Sequence, residues 1–278
     1  MKREEFSRTE LLLGSAALHR LADCKVAVFG IGGVGSYVTE ALARSGIGHF
    51  VLIDSDIVSK SNINRQLLAL HSTIGRPKVE VMRERILDIN PQATVETLQV
   101  FVLPETADGL LQPDWDYIVD AIDTVSAKIE LVVRAKAMGI PIISSMGAGN
   151  KLDPTRFMIA DLYQTSVCPL SKVMRRELKK RGIDRLKVVY SPEEPLTTMT
   201  PADAGAETSP DDSQLAAIAE LMDVAGMANP KALTDLEEKI MPRAPFKRRV
   251  PGSVAFVPSV VGLIIAGEVI KDLISGKA

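Results

Sequence analysis

The sequence predicts an α/β protein with a doubly wound, mostly parallel sheet and a C-terminal α+β extension. Short apolar runs typical of buried strands alternate with helical patterns over the first 150 residues, and this alternation favours parallel strands joined by crossover helices. The first run, Val26–Phe29, ends in a glycine-rich turn that opens a helix. The next run, His49–Ile53, is closed by Asp54.

The glycine-rich turn is the segment GIGGVG, residues 30–35, and it indicates a nucleotide site in a Rossmann-like sheet. Glycines allow the tight turn and the close approach of backbone to phosphate, which lies at a helix N terminus. An acid at the end of the following strand, here Asp54, holds the ribose. Because NAD-dependent dehydrogenases have the same order of elements, the motif alone predicts a nucleotide and leaves the reaction open.

The rest of the first half continues the alternation. After Asp54 comes a polar loop, and GRPK (75–78) then starts a helix that Asn90-Pro91 ends. The other elements predicted here are strands over Thr94–Val102, Tyr117–Ile122 and Ile140–Ser144 and helices over Pro104–Leu111 and Ser126–Met138. Ligands of such sheets lie beyond the C-terminal strand ends, so we expect Gly30, Asp54 and Asp123 in one pocket.

We predict residues 1–150 to be the nucleotide-binding core and residues 151–278 an extension packed on it, with a flexible acidic segment at about 191–213. The extension is predicted to contain strands Arg156–Asp161 and Leu186–Tyr190, helices Pro169–Arg181, Gln214–Gly226 and Pro230–Ile240, an extended run Pro251–Val257 and a core-packed C-terminal helix. Near the N terminus, a leucine stripe is expected to pack on the main body through Leu11, Leu12, Leu13, Leu18 and Leu21.

Composition limits the possible functions. The 278 residues have a net charge of −2, so contact with a nucleic acid must come from local basic patches. The two cysteines, Cys24 and Cys168, have no CxxC partner, which is typical of a reduced cytoplasmic protein and predicts no zinc site. The N terminus lacks an apolar signal region, and charges interrupt the run Val257–Leu273, so no membrane contact is predicted.

Three charged residues beyond the turn favour a reaction on phosphate. A site that adenylates a carboxylate must hold two anions together and stabilise the departing pyrophosphate. Arg65 offers a planar fork, Lys78 a point charge and Asp123 a hard ligand for Mg²⁺. Hydride transfer requires none of the three at these positions, so their ordered presence favours adenylation by ATP.

Residues 6–150 resemble the ubiquitin-activating-enzyme-like superfamily through five ordered motifs, GIGGVGS, LIDSD, SNINRQ, GRPK and DAIDT. Members of this superfamily adenylate carboxylates with ATP. The resemblance implies catalytic roles for Arg65, Lys78 and Asp123, and for Arg8 reaching into the ATP site of a partner subunit, hence a homodimer. The nucleotide-binding residues that it implies are Gly30, Gly32, Gly33, Gly35, Asp54, Asp56, Asn62 and Gln66, with Asp123 on magnesium.

The second half is similar to the tRNA threonylcarbamoyladenosine dehydratases. The similarity rests on GAGNKLDPT (147–155), Asp161-Leu162, Pro169-Leu170 and PGSV (251–254), whereas residues of about 197–243 do not match that pattern. It implies a threonylcarbamoylated adenosine next to the anticodon of tRNA, activated by ATP as an acyl-adenylate and cyclised with net loss of water. That reaction needs no protein nucleophile, and no residue near Cys168 marks an activated thiolate. Whether a cysteine desulfurase or sulfur-acceptor partner assists stays open.

A basic segment supplies the charge that a tRNA substrate needs. Residues 172–187 hold eight cations against two acids, and Arg243 with residues 247–249 forms a second cluster. The residues predicted to contact nucleic acid are Arg175, Arg176, Lys179, Lys180 and Arg181. Residues 193–238 carry eleven acids and one lysine, so we expect them to lie away from the tRNA or to act as a movable cover.

Two other classes of protein stay open. One is an adenylyltransferase for the C-terminal Gly-Gly of a ubiquitin-like sulfur-carrier protein, against which the missing CxxC pairs and the basic helix weigh. The other is an NAD-dependent oxidoreductase, in which Arg65 and Lys78 would have no role.

Overall fold

The computed structural model describes residues 4–102, 109–197 and 251–276. Met1–Pro195 and Ser253–Ala278 make one compact unit, and Leu196–Gly252, most of which lies outside the described residues, is assigned to a second. Also outside the described residues are the predicted helices Gln214–Gly226 and Pro230–Ile240, the acidic segment beyond residue 197, the basic cluster at 243–249 and most of the predicted helix Pro104–Leu111.

The described residues form a seven-stranded sheet in the order β3-β2-β1-β4-β5-β7-β6. Its strands are β1 Lys25–Phe29, β2 His49–Ile53, β3 Thr94–Leu98, β4 Tyr117–Asp120, β5 Ile142–Ser145, β6 Met158–Asp161 and β7 Lys187–Tyr190. Neighbouring strands are parallel except β6 and β7, which are antiparallel. The strand order reverses between β1 and β4, where ligands of such sheets bind. The predicted fold class is confirmed.

Two cores cover the two faces of the sheet. The α-helices of the described residues are α1 Ser7–Leu13, α2 Ser15–Asp23, α3 Gly35–Arg44, α4 Lys78–Ile89, α5 Val125–Met138, α6 Pro169–Lys180 and α7 Phe256–Ser275. Successive side chains of a strand point to opposite faces. Val26 and Val28 therefore join one core with α3, α4 and α7, while Ala27 and Phe29 join the other with α5 and α6.

The C-terminal helix α7 is packed in the core, as predicted, and its main partner is α3. Gly262 permits this close approach, because a Cβ atom there would lie 2.6 Å from the carbonyl oxygen of Val34. The helix begins at Phe256, so the predicted extended run Pro251–Val257 is too long. Strands Thr94–Val102 and Tyr117–Ile122 were also predicted too long at their C-terminal ends. None of the helices in the described ranges is long and apolar enough to cross a membrane.

The predicted leucine stripe near the N terminus is wrong for two of its members. Gly14, with φ of +84°, separates α1 from α2, so the apolar positions do not continue along one helix. Leu21 is buried in the core, but Leu11 and Leu12 are 89% and 83% exposed. Leu11 and Leu12 therefore form an exposed pair near the end of α1.

One sheet runs through both of the predicted parts of the chain. β5 precedes residue 150 and β7 follows it, and the two strands pair in parallel. The N-terminal portion of the extension therefore shares the core of the first part, and a functional division at residue 150 stays a prediction.

Candidate active site

The glycine turn lies at the C-terminal end of β1, between β1 and β4. Gly30 has φ of +84°, and a Cβ atom there would lie 2.6 Å from the carbonyl oxygen of Ala121. A Cβ atom on Gly35 would overlap the carbonyl oxygen of Gly30. These two glycines are required by the fold itself. A Cβ atom on Gly32, in contrast, would meet only Gln66 Nε2, at 3.7 Å, so the fold leaves this position open to a ligand.

Asp54 is fixed against the glycine turn. Its Oδ2 accepts a hydrogen bond of 2.6 Å from the Ile31 N–H, and its Oδ1 accepts one of 2.8 Å from the Asp56 N–H. Burial raises the pKa of the Asp54 carboxyl, and nearby Lys78 offsets part of that rise. The carboxylate predicted to hold the ribose therefore lies beside the turn predicted to hold the phosphates.

Lys78, the first residue of α4, is a buried cation. Its side chain is 6% exposed, and its Nζ lies 2.7 Å from Oδ2 of Asp56, whose own side chain is 63% exposed. A buried ammonium group needs anionic or hydrogen-bonding partners. Because Asp56 is largely in solvent, an anion bound at the turn can share or replace it as the partner of Lys78.

The loop SNINRQ brings polar side chains to the other side of the turn. Arg65 Nη1 donates to the Ser61 carbonyl and to Asn64 Oδ1, each at 2.9 Å, and the Arg65 Cγ lies 3.7 Å from the Cβ position of Gly33. Asn62 is buried and accepts a 3.1 Å hydrogen bond from the Ser59 N–H. Gln66 is buried as well, and its Oε1 has no hydrogen-bond partner among the described residues.

Asp123 lies on the loop after β4, where a buried ion pair fixes the backbone. The Asp123 side chain is exposed, and its nearest hydrogen-bond partner is the Thr124 hydroxyl at 3.4 Å. Lys128 Nζ lies 3.0 Å from Asp120 Oδ2, with both side chains fully buried, and also donates to the Ile122 carbonyl at 3.1 Å. The Ile122 N–H donates to Asp120 Oδ1 at 3.2 Å. The pair therefore holds the segment that carries Asp123.

Arg8 is not brought to this site within the chain. It is an exposed residue of α1 and lines a surface groove of about 400 Å³ with Gly267 and Ile270 of α7. Pro258 of the same helix borders Gly33 of the glycine turn. Gly267 follows Pro258 by nine positions along α7, a rise of roughly 13 Å. Arg8 therefore lies well away from the glycine turn of its own chain.

The basic residues in and just after α6 differ in their partners. Arg175 is half-buried and donates to the Thr165 carbonyl at 2.9 Å, so it holds the preceding turn. Buried Glu177 pairs with Arg176 and Arg181 at 3.1 and 3.0 Å and lies 3.7 Å from Lys180. Burial alone would raise the pKa of Glu177, but hydrogen bonds from Arg181 and Arg176 lower it below its usual value.

Lys172, Arg176 and Lys179 are exposed residues of this helix. They follow one another at spacings of four and three residues and so lie on one side. Within the described part of the chain, Lys172 and Lys179 make no ion pair. We call these three residues the basic stripe.

Sequence reasoning missed Asn64, Asp120, Lys128 and Glu177. An acid inside the apolar strand YIVD and a lysine on the buried face of α5 are signals that could have identified Asp120 and Lys128. Asn64 lies between two predicted site residues, but its partners were not visible from the sequence.

The residues around the turn fit ATP. A nucleoside triphosphate has a polar base and ribose and a chain of charged phosphates. The site offers space at Gly32, an unpartnered Oε1 on Gln66 and two cations, Arg65 and Lys78. The exposed carboxylate of Asp123 is of the donor type that would suit magnesium, because hard cations prefer oxygen ligands. No group of three or more His, Cys, Asp or Glu side chains suited to a metal occurs within the described ranges.

Comparisons with known proteins give a consistent result. The model of the ThiF family matches residues 6–277. The chain is 42% identical over 271 residues to the tRNA threonylcarbamoyladenosine dehydratase of Bacillus subtilis, a match that covers 97% of this chain and 94% of that protein. The Escherichia coli molybdopterin-synthase adenylyltransferase is 33% identical over 124 residues, or 45% of this chain and 49% of that protein.

The fold is similar to two crystal structures of the Escherichia coli tRNA N6-threonylcarbamoyladenosine dehydratase. The complex with AMP has a TM-score of 0.77 and 30% identity, and the complex with ATP has a TM-score of 0.74 and 29% identity. Each match covers 99% of this chain and 96% of the other.

Proposed function

The chain belongs to the ThiF family, and from this membership we propose that it uses ATP to dehydrate and cyclise threonylcarbamoyl-adenosine in tRNA. The observation that carries the proposal is the extent of the similarity. The Bacillus subtilis dehydratase matches 97% of the chain, through the second half and its basic helix, whereas the molybdopterin-synthase adenylyltransferase matches 45%. A sulfur-carrier adenylyltransferase is therefore the less well supported alternative.

The reaction proceeds in two steps. An oxygen of the threonyl carboxylate attacks the α-phosphorus of ATP, and the bond to pyrophosphate breaks. A carbamoyl nitrogen then attacks the activated carbonyl, loses its proton and expels AMP, which closes a five-membered ring. The oxygen lost from the substrate leaves with AMP, so the net change in the nucleoside is the loss of water. A sulfur-transfer partner is not part of the proposal, because the two steps balance without it.

The charged residues around the turn bind ATP and stabilise the leaving pyrophosphate. The glycine turn and the N terminus of α3 hold the phosphates, and Asp54 holds the ribose hydroxyls. Arg65 and Lys78 bring the two anions together and stabilise the charge that develops on pyrophosphate. Asp123 would hold magnesium, which supplies further positive charge at the phosphates when bound.

The tRNA is proposed to contact the basic stripe. Arg176 and its neighbours Lys180 and Arg181 are arranged around Glu177, while Lys172 and Lys179 are exposed with no ion pair in the described ranges. Phosphates along a nucleic-acid backbone are the ligands that suit such a row of cations. Arg175 holds the turn at Thr165, so the proposed contact with tRNA does not include it.

A homodimer completes the proposed site. Leu11 and Leu12 are almost fully exposed beside Arg8, which is typical of an interface. Since Arg8 lies far from the turn of its own chain, it is proposed to act at the turn of the partner, and the enzyme is proposed to work in the cytoplasm.

Mass spectrometry of tRNA nucleosides tests this function. Threonylcarbamoylated tRNA is incubated with the protein, ATP and magnesium, digested and compared with a reaction lacking ATP. We expect the threonylcarbamoyl nucleoside to lose one water, with AMP and pyrophosphate formed in equal amounts. ATP–pyrophosphate exchange that a carrier protein stimulates and modified tRNA does not would contradict the proposal and favour the alternative.

A further inference from the structure

The guanidinium of Arg65 is held from one side. Both of its hydrogen bonds, to the Ser61 carbonyl and to Asn64 Oδ1, come from Nη1. No group of the described residues pairs with Nε or Nη2. The bonded edge therefore faces the protein, and the opposite edge is available for the paired oxygens of a phosphate.

Asn64 connects this guanidinium to a distant part of the chain. While its Oδ1 accepts from Arg65, its Nδ2 donates to the Ser253 carbonyl at 2.9 Å, 189 residues away in sequence. The two partners require opposite ends of the amide, so they also fix which end is oxygen and which is nitrogen. Asn64 is exposed and contributes nothing to either core, so its bonds need another explanation than packing.

The segment that Asn64 reaches also borders the glycine turn. Pro258, five residues after Ser253, lies 3.3 Å from the Cβ position of Gly33, and the Arg65 stem lies 3.7 Å from the same point. The glycine turn, Arg65 and the start of α7 are therefore adjacent. The amide of Asn64 links Arg65 to the segment just before α7.

We propose that Asn64 is a positioning residue that holds the Arg65 guanidinium toward the phosphates of ATP by anchoring it to the Ser253 carbonyl. The inference rests on the proposed binding of ATP at the glycine turn. An amide is suited to this place because one short side chain supplies both an acceptor and a donor. A carboxylate at this position could accept the hydrogen bond from Arg65, but it would neutralise the charge of the guanidinium. It could not donate a hydrogen bond to the Ser253 carbonyl.

A double-mutant cycle on ATP binding tests the proposal. The dissociation constant of ATP with magnesium is measured for the wild type, Asn64→Ala, Arg65→Ala and the double variant, with thermal unfolding as the check on folding. Hydrogen bonds to charged groups predict that Asn64→Ala weakens ATP binding by roughly 10-fold. In the Arg65→Ala background the same change is expected to alter the constant less than about 2-fold, because its effect acts through Arg65.

A matched control and a second variant sharpen the result. Gln112→Ala removes another exposed amide that donates to a backbone carbonyl, that of Gly109 at 2.9 Å, before β4 and away from the turn, and should leave ATP binding unchanged. Asn64→Asp should weaken binding more than Asn64→Ala. Equal effects of Asn64→Ala in both backgrounds, or no effect in the wild type, would overturn the inference. Failure of the wild type to bind ATP would instead overturn the proposed function.

Discussion

A Cβ atom on Gly35 would overlap the carbonyl oxygen of Gly30, whereas the nearest contact of one on Gly32 would be Gln66 Nε2 at 3.7 Å. Glycine is therefore required at these two positions of the motif for different reasons. Gly35 lets the first residue of α3 lie against the backbone of the turn after β1, and Gly32 leaves room that the described residues do not fill.

Replacing each of these glycines by alanine should separate folding from binding. We expect Gly35→Ala to lower the free energy of unfolding by more than about 3 kcal/mol, because backbone must move to remove the overlap. Gly32→Ala should fold normally and lose affinity for ATP. Urea denaturation and ATP titration measure the two effects. ATP binding at wild-type strength by Gly32→Ala would show that phosphate does not approach this residue.

Lys78→Met should strongly slow adenylation and leave the fold stable. The methionine fills the space of the lysine stem, and the abandoned Asp56 is mostly in solvent, so the stability should change by less than about 1 kcal/mol. The loss of one preorganised charge is expected to lower the rate of AMP formation by roughly 100- to 1,000-fold. Arg83→Ala, which removes an exposed cation from the same helix, serves as the control and should retain the wild-type rate.

Binding of ATP should weaken as the pH falls through the raised pKa of Asp54. The ionised carboxylate accepts hydrogen bonds from ribose hydroxyls, and burial causes it to take up a proton at a higher pH than an ordinary aspartate. The stability of the protein without ATP depends on pH in the opposite direction. The folded state binds this proton more readily than the unfolded chain, so stability rises as the pH falls from the raised pKa toward the ordinary value.

Asp54→Asn provides the comparison for this pH dependence. Ionisation of ATP itself contributes equally to both proteins, so the difference between their affinities isolates Asp54. If the two affinities fall in parallel from neutral to acid pH, the carboxylate does not hold the nucleotide.

Substitutions in the basic stripe should affect tRNA binding, while substitution of Arg175 should affect stability. Lys172→Ala and Lys179→Ala are each expected to lower tRNA affinity and to reduce the salt dependence by roughly 0.7 to 0.9 in log–log slope. Arg175→Ala removes hydrogen bonds to the turn at Thr165 and should cost about 1–2 kcal/mol in unfolding free energy. An unchanged salt slope in both lysine variants would place the tRNA elsewhere.

Mixing two inactive variants should restore activity if Arg8 acts in the partner subunit. Arg8→Ala and Arg65→Ala are each expected to be inactive, but half of the dimers after subunit exchange contain both chains and have one intact site. Up to about a quarter of the wild-type rate should return. Leu12→Asp added to both chains places a charge on the proposed interface and should prevent the recovery. No recovery between chains shown to exchange would contradict the role of Arg8.

The fold class and the positions of most strands and helices could be predicted because their signals are local. Strand His49–Ile53 has the predicted bounds, and helix α5 begins one residue from its predicted start, since apolar periodicity and turn residues mark both. The leucine stripe failed because Gly14 adopts a positive φ that redirects the chain, and a lone glycine between helical patterns does not reveal its conformation.

The partners within the site could not be predicted, because they depend on contacts distant in sequence. The bond from Asn64 to Ser253 joins residues 189 apart in sequence. The sequence shows Glu177 only as one of the two acids in residues 172–187. Its burial beneath Arg176 and Arg181 shows that part of the positive charge of this helix is balanced from inside.

The buried pair of Asp120 and Lys128 restricts how this sequence can change over time. Loss of either charge leaves the other uncompensated in the interior, at a cost of about 3–5 kcal/mol, although a fully apolar pair can be as stable as the ionic one. A change from the ionic pair to an apolar pair by single substitutions passes through a variant with one uncompensated buried charge, and that variant folds poorly. These two positions should therefore be exchanged together among related proteins or not at all, and libraries that vary one of them alone should return the original residue.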